Sequence, residues 1–345
     1  MTRNTPMVRL SVIVAALAAG GTLVALAGPL DPPPGPVSST LPVLLSSIDI
    51  ESLPGDANCK HLISQPGSYH FSRNITGVAG KAGICITVGC VVLDFDGFEL
   101  VGVPGSGDGI NGGVGANKRS IVVRNGCVRN WGGDGIDLGS VPTYAGRIDD
   151  IRAIDNFGHG MLSGQGYIIT NCVANGNGAA GGATAAGIAL NSGTLAIGCN
   201  SSKNLGGGIF SNPGGKIQDC IAFENVGFGI HVTSGCFVLE NNCRDNGFGA
   251  SVAANILAGT IAGNGRNRIE GNNCSGADVG IQVASAGNYI VRNTCSGNTN
   301  NWFFVANNVY AVIEDRTVLP VSNPVTGNSA ATALVTSDPL ANFTN

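Results

Sequence analysis

Hydrophobic and polar positions in this chain alternate over short stretches, and the stretches repeat. Residues 216–232 read Lys-Ile-Gln-Asp-Cys-Ile-Ala-Phe-Glu-Asn-Val-Gly-Phe-Gly-Ile-His-Val: a short alternating strand, an Asn, a glycine turn, then Gly-Ile-x-Val as a second strand. The Gly-Ile step recurs at Gly109-Ile110, Gly135-Ile136, Gly160-Met161, Gly187-Ile188, Gly208-Ile209, Gly229-Ile230, Gly249-Ala250 and Gly280-Ile281, with Trp302-Phe303 as a degenerate ninth copy. The intervals run from 20 to 31 residues, which is the period of stacked supersecondary units. Leucine-rich repeats share that period, but their Leu spacing and helical segment are absent. Parallel strands must be covered on both faces or closed on themselves. A coil of three short strands closes its own sheet, and the next coil pairs above it at about 4.8 Å. The pattern therefore predicts an all-β chain wound as a parallel β-helix of about nine coils, on the order of 40 Å long.

Two further columns accompany the Gly-Ile strand. An Asn stands about five residues before the Ile, as Asn130, Asn156, Asn175, Asn204, Asn225, Asn246 and Asn298. Stacked at one bend, such side chains hydrogen-bond one another along the axis, and Asn tolerates the left-handed backbone a bend requires. Three residues earlier stand Cys127, Ala153, Cys172, Ser201, Ala222, Cys243 and Cys295, with Cys274 continuing the file although Ala277 replaces its Asn. Small side chains at one recurring place suit a tight inward row.

The skeleton Ile-x-x-Asn … Asn-x-x-Gly-Ile-x-Val, over about residues 84–305, resembles the repeat of the right-handed parallel β-helix proteins of the pectin-lyase-like superfamily. Residues 92–98, Val-Leu-Asp-Phe-Asp-Gly-Phe, look like the first coil of many bacterial members. The resemblance implies the fold. Function is left open by it, because that superfamily includes lyases, hydrolases, epimerases, adhesins and assembly factors.

The ends of the chain break the pattern. Arg3 and Arg9, an apolar run from Leu10 to Leu26 and the triplet Ala25-Leu26-Ala27 read as a secretory signal over residues 1–27. Residues 28–55 begin with a Pro-rich, extended spacer. The β-helix with its N-terminal cap is expected over 56–306 and a C-terminal cap over 307–345, with Val309 to Glu314 as a last strand. A secreted, periplasmic or cell-surface protein follows, off the membrane once the signal is cleaved, and a monomer.

Composition narrows the partners. Gly accounts for 54 of 345 residues, and only 12% are charged, against roughly 7% and 25% in ordinary domains. Removing Arg3 and Arg9 leaves 16 Lys and Arg against 22 Asp and Glu, a net charge near −6. That sign gives no electrostatic reason to bind nucleic acid or anionic lipid.

Eleven Cys in an exported chain suggest disulfides with one left over. Those in the repeating column read instead as stacked interior thiols, because strand spacing is slightly wider than the Cβ separation a bridge prefers. Cys199 and Cys220 form a second such pair. Cys59, Cys85 and Cys90, before the regular coils, are the disulfide candidates, and the absence of C-x-x-C leaves structural zinc without support.

In Gly-Ile-x-Val the x residue faces out, giving Asn111, Asp137, Leu162, Ala189, Phe210, His231, Ser251 and Gln282. The residue before the Gly gives Asp108, Asp134, His159, Ala186, Gly207, Phe228, Phe248 and Val279. Acidic and His residues thus gather on three consecutive coils. Asp134, Asp137 and His159 are the catalytic candidates, with Asp108, Asn111, Trp131 and Arg147 as substrate-binding candidates. Carboxylates there offer acid–base work or a Ca²⁺ site, Trp131 or Tyr144 a stacking platform for a sugar ring, and an Arg a partner for a uronate. The plainer reading is that Asp-Gly serves turns and His159 fills a tolerant position. Asp149-Asp150 and Gly158-His159-Gly160 echo polygalacturonase-like hydrolases, but they share one coil here, and Asn-Thr-Asp and Arg-Ile-Lys are missing. Paired-carboxylate hydrolysis is therefore rejected. The leading expectation is binding or modification of an extracellular polysaccharide, lyase- or epimerase-like if catalytic; the alternative is a non-catalytic adhesive or structural rod.

Overall fold

The computed structural model describes residues 47–113, 117–178, 185–247, 253–260, 265–315 and 336–344. The signal segment and the Pro-rich stretch lie outside them, as do Phe248, Gly249, Ala250 and Ser251. Among the described residues no helix is long and apolar enough to cross a membrane.

The Gly-Ile strands stack in register. Ile84, Ile110, Ile136, Met161, Ile188, Ile209, Ile230, Ile256, Ile281 and Trp302 are successive partners in a sheet of eleven parallel strands, running from Cys59–Ile63 to Asn300–Phe304. All the Ile in this file are sealed from solvent. Removing one such side chain to Ala typically costs about 2–5 kcal/mol. Two coils at Cys59–Ile63 and Ala82–Ile86 precede the first Gly-Ile copy, so the solenoid is longer than the repeat alone indicates. Pairing begins still earlier, at Ile48 against Tyr69, inside the stretch expected to be spacer.

The other two strands of each coil build the remaining walls. Leu93, Val123, Ile148, Ile169, Ala196, Ile217, Val238, Ile269 and Ile290 form one inward file. Leu100, Val128, Ala153, Ala174, Ser201, Ala222, Cys243, Cys274 and Cys295 form the other. Cys127 and Cys172 are not in that file. Cys127 pairs with Arg152, and Cys172 sits at the bend before the strand Val173–Asn175.

Left-handed backbone marks the bend that leads to the Gly-Ile strand, at Asn130, Asp155, Gly176, Lys203, Glu224, Asp245, Gly276 and Gly297. The ladder residue is the next one along: Trp131, Asn156, Asn177, Asn204, Asn225, Asn246, Ala277 and Asn298. Asn130 and Asn175, expected in the ladder, therefore stand outside it. From Asn156 to Asn246 each Nδ2 donates to the Oδ1 of the next rung at 2.8–3.0 Å. A second Asn file, Asn241, Asn272, Asn293 and Asn342, runs along another bend, and cysteines continue it. Cys220 N donates to Asn241 Oδ1 at 3.0 Å, and Cys199 N to Cys220 Sγ at 3.4 Å. Cys199 and Cys220 are thus ladder rungs, and at Cys220 sulfur takes the place of an amide oxygen. Burial pushes the Cys172, Cys243 and Cys274 thiols well above their ordinary range. Of the three disulfide candidates, Cys59 and Cys85 are bonded and Cys90 is a free, exposed thiol.

Past the repeat, Ile313–Asp315 pairs with Asn342–Thr344, which in turn pairs with Thr294–Ser296 and so closes the last coil. Pro320 and Pro324 lie outside the described residues.

Candidate functional site

Register brings five of the seven candidates onto one face. Asn111 and Asp137 are partners in the Gly-Ile sheet, followed by Leu162. Asp108, Asp134 and His159 precede the glycines of the same three coils. Each passes a hydrogen bond up the stack: Asp108 Oδ1 accepts from Asp134 N at 2.8 Å, Asp134 Oδ1 from His159 N at 2.6 Å, and His159 Nδ1 bonds the Ala186 backbone. Glycine beside this file leaves the carboxylates their room. A Cβ on Gly133 would overlap the Asp108 carboxylate, and one on Gly158 that of Asp134.

Asn111 joins the file sideways, its Nδ2 donating to Asp108 Oδ2 at 2.7 Å while its Oδ1 accepts from Gly113 N at 2.6 Å. Asp137 Oδ1 accepts from Gly139 N at 3.0 Å and Ser140 N at 2.9 Å, so the side chain braces the turn beyond its strand.

Electrostatics at the file follow from its enclosure. Burial pushes the Asp134 carboxyl up to about 7, the Asp108 and Asp137 carboxylates beside it push the same way, and the His159 amide opposes them. Burial also raises Asp108. His159 is held below its ordinary value by burial. Its Nδ1 stands 3.0 Å from the Ala186 amide nitrogen and 3.3 Å from the Ala186 carbonyl oxygen, so the tautomer decides which of the two it bonds.

A groove of about 380 Å³ adjoins the file at Asn111. Asp56, Asn58, Leu62 and Thr87 line it, with the Cys59–Cys85 disulfide in its wall. Lys118, almost fully buried, donates from Nζ to the Gly113 carbonyl at its edge. Asp56, Asn58 and Lys118 were not anticipated, because they belong to the cap and to a short side strand, Lys118–Arg119, and no repeat position marks them.

Two expectations are corrected. Trp131 is 1% exposed. It occupies a ladder position, donating from N to Asn156 Oδ1 at 3.1 Å and from Nε1 to the Leu100 carbonyl at 3.0 Å. Gly77, Gly83 and Gly109 leave room for the ring, which fills the coil interior and is out of reach of a sugar. Arg147 belongs to a different wall, where its guanidinium pairs with Asp149 at 3.2 Å and meets Thr170 Oγ1 at 3.1 Å. In the outward file Leu257 stands where Ser251 was expected, and Ala254 takes the place given to Phe248. Among the described residues no three His, Cys, Asp or Glu side chains are grouped to hold a metal ion.

No family model matches this sequence, and no curated protein matches it. Solved structures do resemble it. The A-module of the mannuronan C-5 epimerase AlgE6 of Azotobacter vinelandii is 18% identical over 74% of this chain and 78% of that one, with a TM-score of 0.50. The Dettilon tailspike protein is 14% identical over 84% of this chain and 60% of its own, at 0.52. Pectate lyase Pel9A, at 15% identity, covers 76% and 71% with a TM-score of 0.46. At these identities the likeness speaks for the fold alone, and with the stacked parallel strands it is plain. The chain has the right-handed parallel β-helix fold of pectin-lyase-like proteins.

Proposed function

We propose that this chain is an exported β-helix protein that binds an extracellular polysaccharide along the outer face of its Gly-Ile sheet and exchanges a proton with it at Asp134. One observation supports this above the rest: a half-buried carboxyl held near neutrality, on a file of polar side chains that runs into a groove at Asn111. A group with a value of about 7 is both acid and base at neutral pH, the condition in which proton transfer is most effective. As a base it takes the proton beside a uronate carboxylate, the step common to lyases and epimerases. Asn111 and His159 supply hydrogen bonds to hydroxyls.

The alternative reading, a rod without catalysis, draws on a specific observation too. One oxygen of both Asp108 and Asp134 already holds a backbone amide of the next coil, which is a structural task. Incubation with alginate and pectin separates the two. A lyase generates absorbance from unsaturated chain ends, and an epimerase changes the product NMR spectrum. Asp134→Asn keeps the amide hydrogen bond and removes the titrating proton, so it abolishes turnover under the first reading. Should wild type bind and turn over none of these polymers, only the rod remains.

A further inference from the structure

Beyond the acidic file the same outward column changes character: Ala189, Phe210, His231, Leu257, Gln282 and Phe303 are successive partners. The His231 ring meets Phe210 edge-on, centroids 5.2 Å apart, and Phe228 at 5.4 Å. Its Nε2 is enclosed and has no hydrogen-bond partner. Two coils further on, Gln282 Oε1 is in the same state, and so is Thr233 Oγ1 beside the His231 strand. Buried polar atoms are ordinarily satisfied, and two unsatisfied ones on one file of one sheet, with a third just past its strand, call for a partner from outside the chain. Burial depresses His231 to about 4, so its ring is neutral under physiological conditions. No cation stands in the column to receive a carboxylate. Aromatic rings, an unused imidazole nitrogen and an unused amide oxygen suit a ligand with an apolar face and hydroxyl edges.

We propose that Phe210, Phe228, His231 and Gln282 form a second saccharide subsite, where the rings pack on the C–H face of a pyranose and His231 Nε2 and Gln282 Oε1 bond its hydroxyls. This rests on the reading of a polysaccharide laid along the Gly-Ile sheet. Asp137 and His231 are four coils apart, about 19 Å at the spacing of paired strands. A chain several sugars long spans both sites, whereas a disaccharide at Asp134 does not reach His231.

The test uses the full-length protein and oligosaccharides of graded length from alginate, polygalacturonate, xylan and a β-glucan, with binding followed by calorimetry. His231→Phe keeps the ring packing and deletes the nitrogen; Phe210→Ala deletes the platform. Each is expected to weaken binding of the long oligosaccharides about tenfold, with thermal unfolding of His231→Phe unchanged. Unaltered affinity for long chains in both variants overturns the subsite. If Asp134→Asn still abolishes turnover in that case, the proposed function stands without it. If wild type binds none of the four series, subsite and proposed function fall together.

Discussion

Asn255 and Ala277 have exchanged roles. In neighbouring coils the position before the inward Ile is Gly and the ladder position of the next coil is Asn; a Cβ on Gly208 or Gly229 would stand 2.7 or 2.6 Å from the Nδ2 of Asn225 or Asn246. At one level the pair is reversed. Ala277 lacks the amide, and Asn255 supplies it from the preceding coil. Asn255 Oδ1 accepts from Asn246 Nδ2 at 2.8 Å, and its Nδ2 donates to Asn298 Oδ1 at 3.1 Å and to the Ser275 carbonyl at 2.9 Å. The ladder is continuous because the defect and its repair coincide.

This relationship predicts a double-mutant cycle. Asn255→Gly interrupts the ladder and leaves buried amide partners unpaired, at a cost of about 2–3 kcal/mol. Ala277→Asn alone crowds Asn255 and destabilises as well. The double variant restores the arrangement of the neighbouring coils and is expected to unfold within about 1 °C of wild type. Thermal unfolding of the four proteins measures the coupling; purely additive losses would contradict it.

The same pair explains what the sequence concealed. Apolar periodicity identified the inward Ile file, because the same inward environment recurs coil after coil. The eighth copy was expected at Gly249-Ala250 since Gly marked the position elsewhere, yet Asn255 holds it. Likewise the left-handed bend accepts Asn, Asp, Gly, Lys and Glu alike, so residue type does not reveal where the bend ends, and Asn130 and Asn175 were mistaken for rungs. The acidic file was legible because Asp108, Asp134 and His159 precede the Gly of well-aligned coils. Trp131 and Arg147 were misplaced because closeness in sequence does not say which wall of a coil a side chain joins.

Asp134 makes stability depend on pH with a definite sign. Its folded value, about 7, lies above the ordinary 3.8, so the folded state holds the proton more tightly. The stabilisation is complete below about pH 4 and is lost as pH rises through 7, by at most roughly 4 kcal/mol. Asn cannot titrate, so the stability of wild type minus that of Asp134→Asn should fall steadily from pH 4 to 7.5. Denaturant unfolding across that range checks it; a flat difference would show that the carboxyl is not enclosed.

Gly158 tests the geometry of the file separately. A methyl group there displaces the Asp134 carboxylate, which occupies that space. Gly158→Ala is expected to cut turnover at least as far as Asp134→Asn while keeping the circular dichroism of the β-helix. Activity like that of wild type would place the carboxylate elsewhere.

Thiol titration examines the ladders. Cys90 is exposed and eight other free cysteines are buried. The native protein should therefore yield one fast-reacting thiol, the unfolded protein nine, and the unfolded, reduced protein eleven. Fewer than nine on unfolding would mean bridges within the stacked files.

The proton exchanged at Asp134 is the centre of the account, and the pH profile of turnover examines it most directly. On whichever alginate or pectin substrate the wild type converts, turnover should follow one ionisation with an apparent value near 7, and Asp134→Asn should retain substrate binding while losing conversion. A profile without that ionisation, or an Asn variant as active as wild type, would contradict it.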